Sequence, residues 1–183
     1  MTAAAIRNVV ITGASTGIGA ACAEYLEQKG FRVFASVRTQ PDADRIVALG
    51  RARLTPLLLD VTDAESIATA ARTVETTLAG AGLDGLVNNA GVSVDVPLEC
   101  VALATLRRQF EVNTIAPVAV TQAFLPLLRR ARAVTYGHHP LRLKAPHTAQ
   151  HPRRPARGRG SRNLSLAVVF VSLPTARGAG PWP

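Results

Sequence analysis

The chain is 183 residues long, 48% hydrophobic and 18% charged, with two cysteines and a formal net charge of +9. This length predicts one domain with a real buried core, and two cysteines without CxxC spacing exclude a disulfide-stapled scaffold. The charge belongs to one end: ten Lys+Arg accompany all twelve acidic residues before residue 129, a net −2, whereas residues 129–183 carry +11.

In chain order, the first eight residues lack the apolar stretch of a signal peptide, and no membrane span is expected. With Cys22 and Cys100 as isolated thiols, the expected setting is a reducing cytoplasm. Val9-Val10-Ile11 reads as a first strand running into Thr12-Gly13-Ala14-Ser15-Thr16-Gly17-Ile18-Gly19, with a helix over 20–29. That order builds a site for a dinucleotide diphosphate. Gly13 permits the tight turn, Gly17 keeps a Cβ from standing between backbone and diphosphate, and Gly19 allows close helix packing. Ser15, Thr16 and Ile18 complete the candidate cofactor loop.

Residues 31–37 read as a second strand, 42–49 as a short helix and 54–59 as a buried third strand. Thr62-Asp63-Ala64-Glu65 fits a capping box with Thr62 as N-cap, opening a helix to about residue 79. Residues 83–87 form a fourth strand, and 98–130 are largely helical, with interruptions expected near Pro117 and Pro126. Such alternation, with apolar strands, implies a parallel sheet covered on both faces.

With these elements placed, residues 9–130 resemble the short-chain dehydrogenase/reductase family. Residues 12–19 look like its Thr-Gly-x3-Gly-x-Gly cofactor loop, and Asp60-Val61 sits where the family contacts adenine. Asn88-Asn89-Ala90-Gly91 matches the motif behind the fourth strand, and Asn113 falls at the family's catalytic asparagine. The resemblance implies hydride transfer between a nicotinamide and a small-molecule carbonyl or secondary alcohol, and a possible homo-oligomer. Each residue also has a plainer reading: Asp60 as a turn residue, Asn88 and Asn89 as turn formers, Asn113 as a satisfied core amide. Where an NAD site places a carboxylate, the chain reads Ser36-Val37-Arg38-Thr39. Arg38 is either a surface arginine or the partner of a 2′-phosphate, and the latter favours NADP(H) over NAD(H).

The family also needs a serine near position 140 and Tyr-x3-Lys beyond it, the lysine lowering the tyrosine pKa. No Tyr-x3-Lys follows Asn113, and Tyr136 is followed at the fourth position by Pro140. The literal match at Tyr25 and Lys29 lies on the first helix, away from the strand ends, and reads as a decoy. Impaired turnover is therefore expected. Residues 131–183 hold all four histidines, seven of twelve prolines and no acid. His138, His139, His147 and His151 fit no closed zinc site, and no metal is expected.

Three readings of this tail compete. A basic arm would attract phosphates, but no pattern for specific nucleic-acid binding accompanies it. A disordered extension fits its composition. A shifted reading frame of a GC-rich gene explains the abruptness best and is the preferred reading. The expected fold is α/β: a doubly wound parallel Rossmann sheet in residues 1–130, cut short after four strands in the order 3-2-1-4, with a disordered basic tail over 131–183. The outer edge of the fourth strand would then lack a partner unless residues 133–136 or 164–173 cover it, and poor solubility is expected. The rival function is a catalytically silent nucleotide-binding module whose tail docks an acidic partner.

Overall fold

The computed structural model describes residues 6–93, 98–131 and 169–170. Strands and helices alternate: β1 (Asn8–Ile11), α1 (Gly17–Gln28), β2 (Arg32–Val37), α2 (Gln40–Ala48), β3 (Leu54–Leu58), α3 (Ala64–Leu78) and β4 (Gly85–Asn88). A 3-10 turn at Leu98–Cys100 precedes α4 (Leu103–Phe110), a π-helical turn (Glu111–Ile115), α5 (Ala116–Arg130) and the two-residue β5 (Val169–Phe170).

The sheet order is β3-β2-β1-β4-β5. The first four strands are parallel, in the order the sequence predicts, with Val10 opposite both Phe34 and Leu86. Parallel neighbours need long crossovers, and the intervening helices supply them on both faces. Alternating side chains then feed two cores. Val10, Phe34, Leu57 and Leu86 pack with α3 and α5. Val9, Ile11, Val33, Ala35 and Val87 pack with α1 and α2. Pro56 is tolerated in β3 because that strand is an edge, where a missing N–H disrupts no outer ladder.

The structure corrects the sequence reading at several points. The four-strand parallel sheet stands as read and gains one addition: Val169–Phe170, inside the 164–173 run, meets the β4 edge antiparallel, Phe170 opposite Val87 and Val169 opposite Asn88. The rest of the tail, including 133–136 and the four histidines, lies outside the described residues. α1 begins at Gly17, so Gly17 and Gly19 belong to its first turn. The N-cap of α3 is Asp63, not Thr62: the Asp63 carboxylate accepts from the Glu65 and Ser66 amides. Thr62 is drawn instead to Asp60, donating to its Oδ1 from backbone N (2.9 Å) and Oγ1 (2.7 Å).

The interruption expected near Pro117 is the π-turn just before it; none occurs at Pro126, which lies inside α5. Pro117 has no N–H for the Asn113 carbonyl four residues back, so the α-ladder cannot run through this point. At Pro126 the carbonyl left behind belongs to exposed Gln122, where water can serve it. Across the π-turn, Leu103–Arg130 is one continuous 28-residue helix. By length and composition alone it suffices to cross a membrane, which the sequence reading did not expect. Its residues Val120, Phe124, Leu127 and Leu128 are buried in the core shared with α3.

Candidate functional site

At the carboxyl ends of the parallel strands a cavity of about 400 Å³ opens where the strand order reverses, between β1 and β4. The loop after β1 forms its floor. Gly13 and Gly17 have φ of +66° and +62°, a region side chains rarely adopt. Gly13 is pressed against the β4 exit, where a Cβ would meet the Ala90 Cα at 2.8 Å. At Gly19 a Cβ would lie 2.3 Å from the Gly13 carbonyl oxygen, so α1 can approach its own loop only without one. At Gly17 nothing lies within 4 Å of that position. An opening is left above the main chain.

Thr12 ties the two strand ends together. Its Oγ1 accepts from the amides of Asn89 (2.9 Å) and Ala90 (3.0 Å). In return Asn89 Nδ2 donates to the carbonyls of Thr12 (3.0 Å) and Gly13 (2.9 Å). Ser36 holds the other side: its Oγ accepts from Gly13 N at 3.1 Å and its carbonyl from Ala14 N at 2.7 Å. The loop is braced by three elements. The N-cap Thr16 makes no side-chain capping bond, and no acidic residue lies in the first turn of α1, so among the described residues nothing shields its amides or the positive end of its dipole.

Most of the predicted cofactor residues come together here. Gly13, Ser15, Thr16, Ile18 and Gly19 line the cavity on the α1 side, Arg38, Asp60 and Val61 at one end, Asn89, Ala90 and Gly91 on the β4 side. Gly17, Asn88 and Asn113 are not among the lining residues. Asn88 is buried and donates from Nδ2 to Thr121 Oγ1 at 3.1 Å. Asn113 sits in the π-turn, its side chain spent on the main chain of one residue. Its Oδ1 accepts from Val92 N (2.9 Å) while its Nδ2 donates to Val92 O (2.8 Å). It fixes the exit loop of β4 against the long helix.

Among the lining residues that sequence reasoning missed are Ser36, Thr62, Val92, Ser93, Val112 and Arg108. Val112 adjoins Asn113, and Arg108 lies one helical turn before Val112, so both follow from the asparagine once a helix is granted. The two Thr62 hydrogen bonds hold the Asp60 carboxyl below its ordinary range, with Arg38 and Arg108 adding attraction. Only Oδ1 is used by Thr62, leaving Oδ2 for a donor from outside. Tyr25 and Lys29 lie on exposed α1 surface, the ammonium 5.4 Å from the ring centroid, and line no part of this cavity. Among the described residues no cluster of three or more His, Cys, Asp or Glu is placed to hold a metal.

Comparison with known proteins agrees with this geometry. The family model for short chain dehydrogenases matches residues 7–135. Human retinol dehydrogenase 5 is 44% identical over 125 residues, covering 68% of this chain and 39% of that protein. A short-chain dehydrogenase/reductase of Pestalotiopsis microspora is 40% identical over 129 residues, 45% of its length. The chain therefore spans less than half the length of these relatives. Among solved structures, the NADPH-bound carbonyl reductase from chicken fatty liver superposes with a TM-score of 0.64 at 34% identity, over 69% of this chain and 53% of that one. The RhlG/NADP complex of Pseudomonas aeruginosa gives 0.63 at 31% identity, over 68% of this chain and 49% of that one.

Proposed function

The chain belongs to the short-chain dehydrogenase family, and from that premise we propose that its cavity binds a nicotinamide dinucleotide, NADP(H) in preference to NAD(H). The carrying observation is the acid-free N-terminus of α1, where Thr16, Ile18 and Gly19 line the cavity, a place built for a diphosphate. The donor set fits the rest of such a molecule. Asp60 Oδ2 is available to an adenine amino group, and among the described residues the Arg38 guanidinium has no carboxylate partner within 4.0 Å. Two relatives of known structure were solved with NADPH or NADP, which supports the phosphorylated form.

When bound, the nicotinamide ring would supply a hydride to a small-molecule carbonyl or take one from an alcohol. The residues of this chain bind and orient. Amides of the Gly-rich loop hold the diphosphate, and the Thr12–Asn89 bracing keeps that loop from rearranging. Asn113, locked to Val92 through its side chain, has a main-chain carbonyl that Pro117 cannot serve, a position suited to holding a water. Acid–base chemistry at the substrate oxygen is where this chain falls short: no Tyr-x3-Lys follows Asn113 in its sequence. We therefore infer cofactor binding with impaired turnover, in a reducing, cytoplasmic setting. Self-association is favoured by the exposed Leu103, Phe110, Ile115 and Val118 along the long helix.

The test measures NADPH binding and carbonyl reduction on one purified sample. Binding without turnover is expected. Turnover at an ordinary rate would overturn the impairment, and absence of binding to both NADPH and NADH would overturn the cofactor reading.

A further inference from the structure

The adenine end of the cavity contains a cation that nothing above uses. Arg108, on the last turn of α4, lines the cavity together with Arg38, which follows β2. Ion pairs among the described residues occupy Arg45, Arg51 and Arg130 with Asp42, Glu24, Glu27 and Glu75. Among the described residues neither Arg38 nor Arg108 has a carboxylate within 4.0 Å. The acid between them, Asp60, is turned toward Thr62 through Oδ1. Two guanidinium groups thus border one end of a cleft from separate elements, with one carboxylate to set against them.

Two guanidinium groups against one ionised carboxylate leave that end with a net charge of about +1, which favours an anion there. A diphosphate would be served by the α1 N-terminus instead, where no acidic residue lies in the first turn. A ribose 2′-hydroxyl brings no charge, whereas a 2′-phosphate brings about −1.5 to −2 and three acceptor oxygens for planar N–H forks. Resting on the NADP(H) reading above, we propose that Arg108 is a second cation for the 2′-phosphate, so that discrimination between NADP(H) and NAD(H) is shared between Arg38 and α4. Arg107, the next residue on the same helical turn, does not line the cavity and takes no part.

Calorimetric titration of the full chain with adenosine 2′,5′-bisphosphate and with 5′-AMP isolates this end from the nicotinamide half. Arg108→Ala is expected to weaken the bisphosphate about 10-fold and 5′-AMP by less than about 2-fold, the scale of one charged hydrogen bond. Arg108→Lys keeps the charge without the fork and falls between, and Arg107→Ala leaves both affinities unchanged. Arg108 is exposed and makes no hydrogen bond among the described residues, so its variants should melt with the parent. Equal loss for both ligands, or loss for neither, overturns the proposal while the cofactor reading stands. A parent chain that binds neither NADPH nor NADH overturns both.

Discussion

A methyl group added at residue 19 has nowhere to go, whereas one added at residue 17 meets only space. The two glycines therefore fail differently. Gly19→Ala forces the Gly13 carbonyl and Asn89 apart and should cost about 1–3 kcal/mol of stability, read as a shifted urea midpoint. Gly17→Ala pays roughly 1 kcal/mol for its left-handed backbone and meets no neighbour, but it stands between the lining residues Thr16 and Ile18, so NADPH affinity should fall further than stability. If affinity survives Gly17→Ala, the anion does not sit there. Asp60 provides a second residue-scale prediction. Its folded pKa is depressed below 3.8, first by the two Thr62 hydrogen bonds and then by the arginines. A depressed acid contributes stability that is present above 3.8 and lost as pH falls through the lower folded value. Thr62→Val removes the hydroxyl bond and should move the Asp60 titration up toward 3.8, measured by carboxyl NMR; an unmoved titration would refute the assigned cause. The glycines were legible because only a few residue types satisfy a left-handed turn. Arg108 was not, because an exposed arginine carries no local signal until α4 is laid against the cleft.

Helix ends are where sequence reading and structure part company. Thr62 and Asp63 are both good N-caps, and the pattern alone favoured Thr62 because Glu65 stands three residues on. The structure uses Asp63 because the Asp60 carboxylate claims Thr62, a competition set by where β3 ends. Asp63→Ala should therefore cost α3 about 1 kcal/mol, and Thr62→Ala less than Asp63→Ala. The reverse ranking in urea denaturation would restore the capping box. At the other end of α3, Ala79 adopts φ +48° as the C-terminal cap, a conformation glycine takes without strain. Ala79→Gly should raise stability by about 0.5–1 kcal/mol, visible as a higher urea midpoint. The strands were easier to read: Val9-Val10-Ile11 and the β2 run are buried on both faces, so apolar continuity marks them. The π-turn was placed only to within a few residues, since Pro117 announces a broken ladder but not how the chain redistributes it.

At the scale of the molecule, the question is whether four parallel strands and their helices form a binding unit whose stability responds to ligand. Two cores close over both faces of the sheet, and among the described residues the outer edge of β4 meets the two residues of β5, Phe170 opposite Val87 and Val169 opposite Asn88. Strand order was legible because a right-handed crossover leaves few choices for β-α-β units. The antiparallel β5 was not, since a short apolar run carries no mark of direction. A cofactor that binds only the folded state adds RT ln(1 + [L]/Kd), about 2.7 kcal/mol at a ligand concentration of 100 Kd. For a domain of this size, each kcal/mol raises the melting temperature by roughly 3–4 °C, so NADPH at that concentration should lift it by about 8–11 °C. NADH at the same concentration should lift it less, because it offers nothing to the two arginines at the adenine end. The shift should shrink as salt is raised from low ionic strength, the 2′-phosphate contacts being partly exposed and screened over about 10 Å at 0.1 M. A melting temperature indifferent to both nucleotides, in material with a cooperative transition, would mean that the braced loop and the open position at Gly17 hold no diphosphate at all.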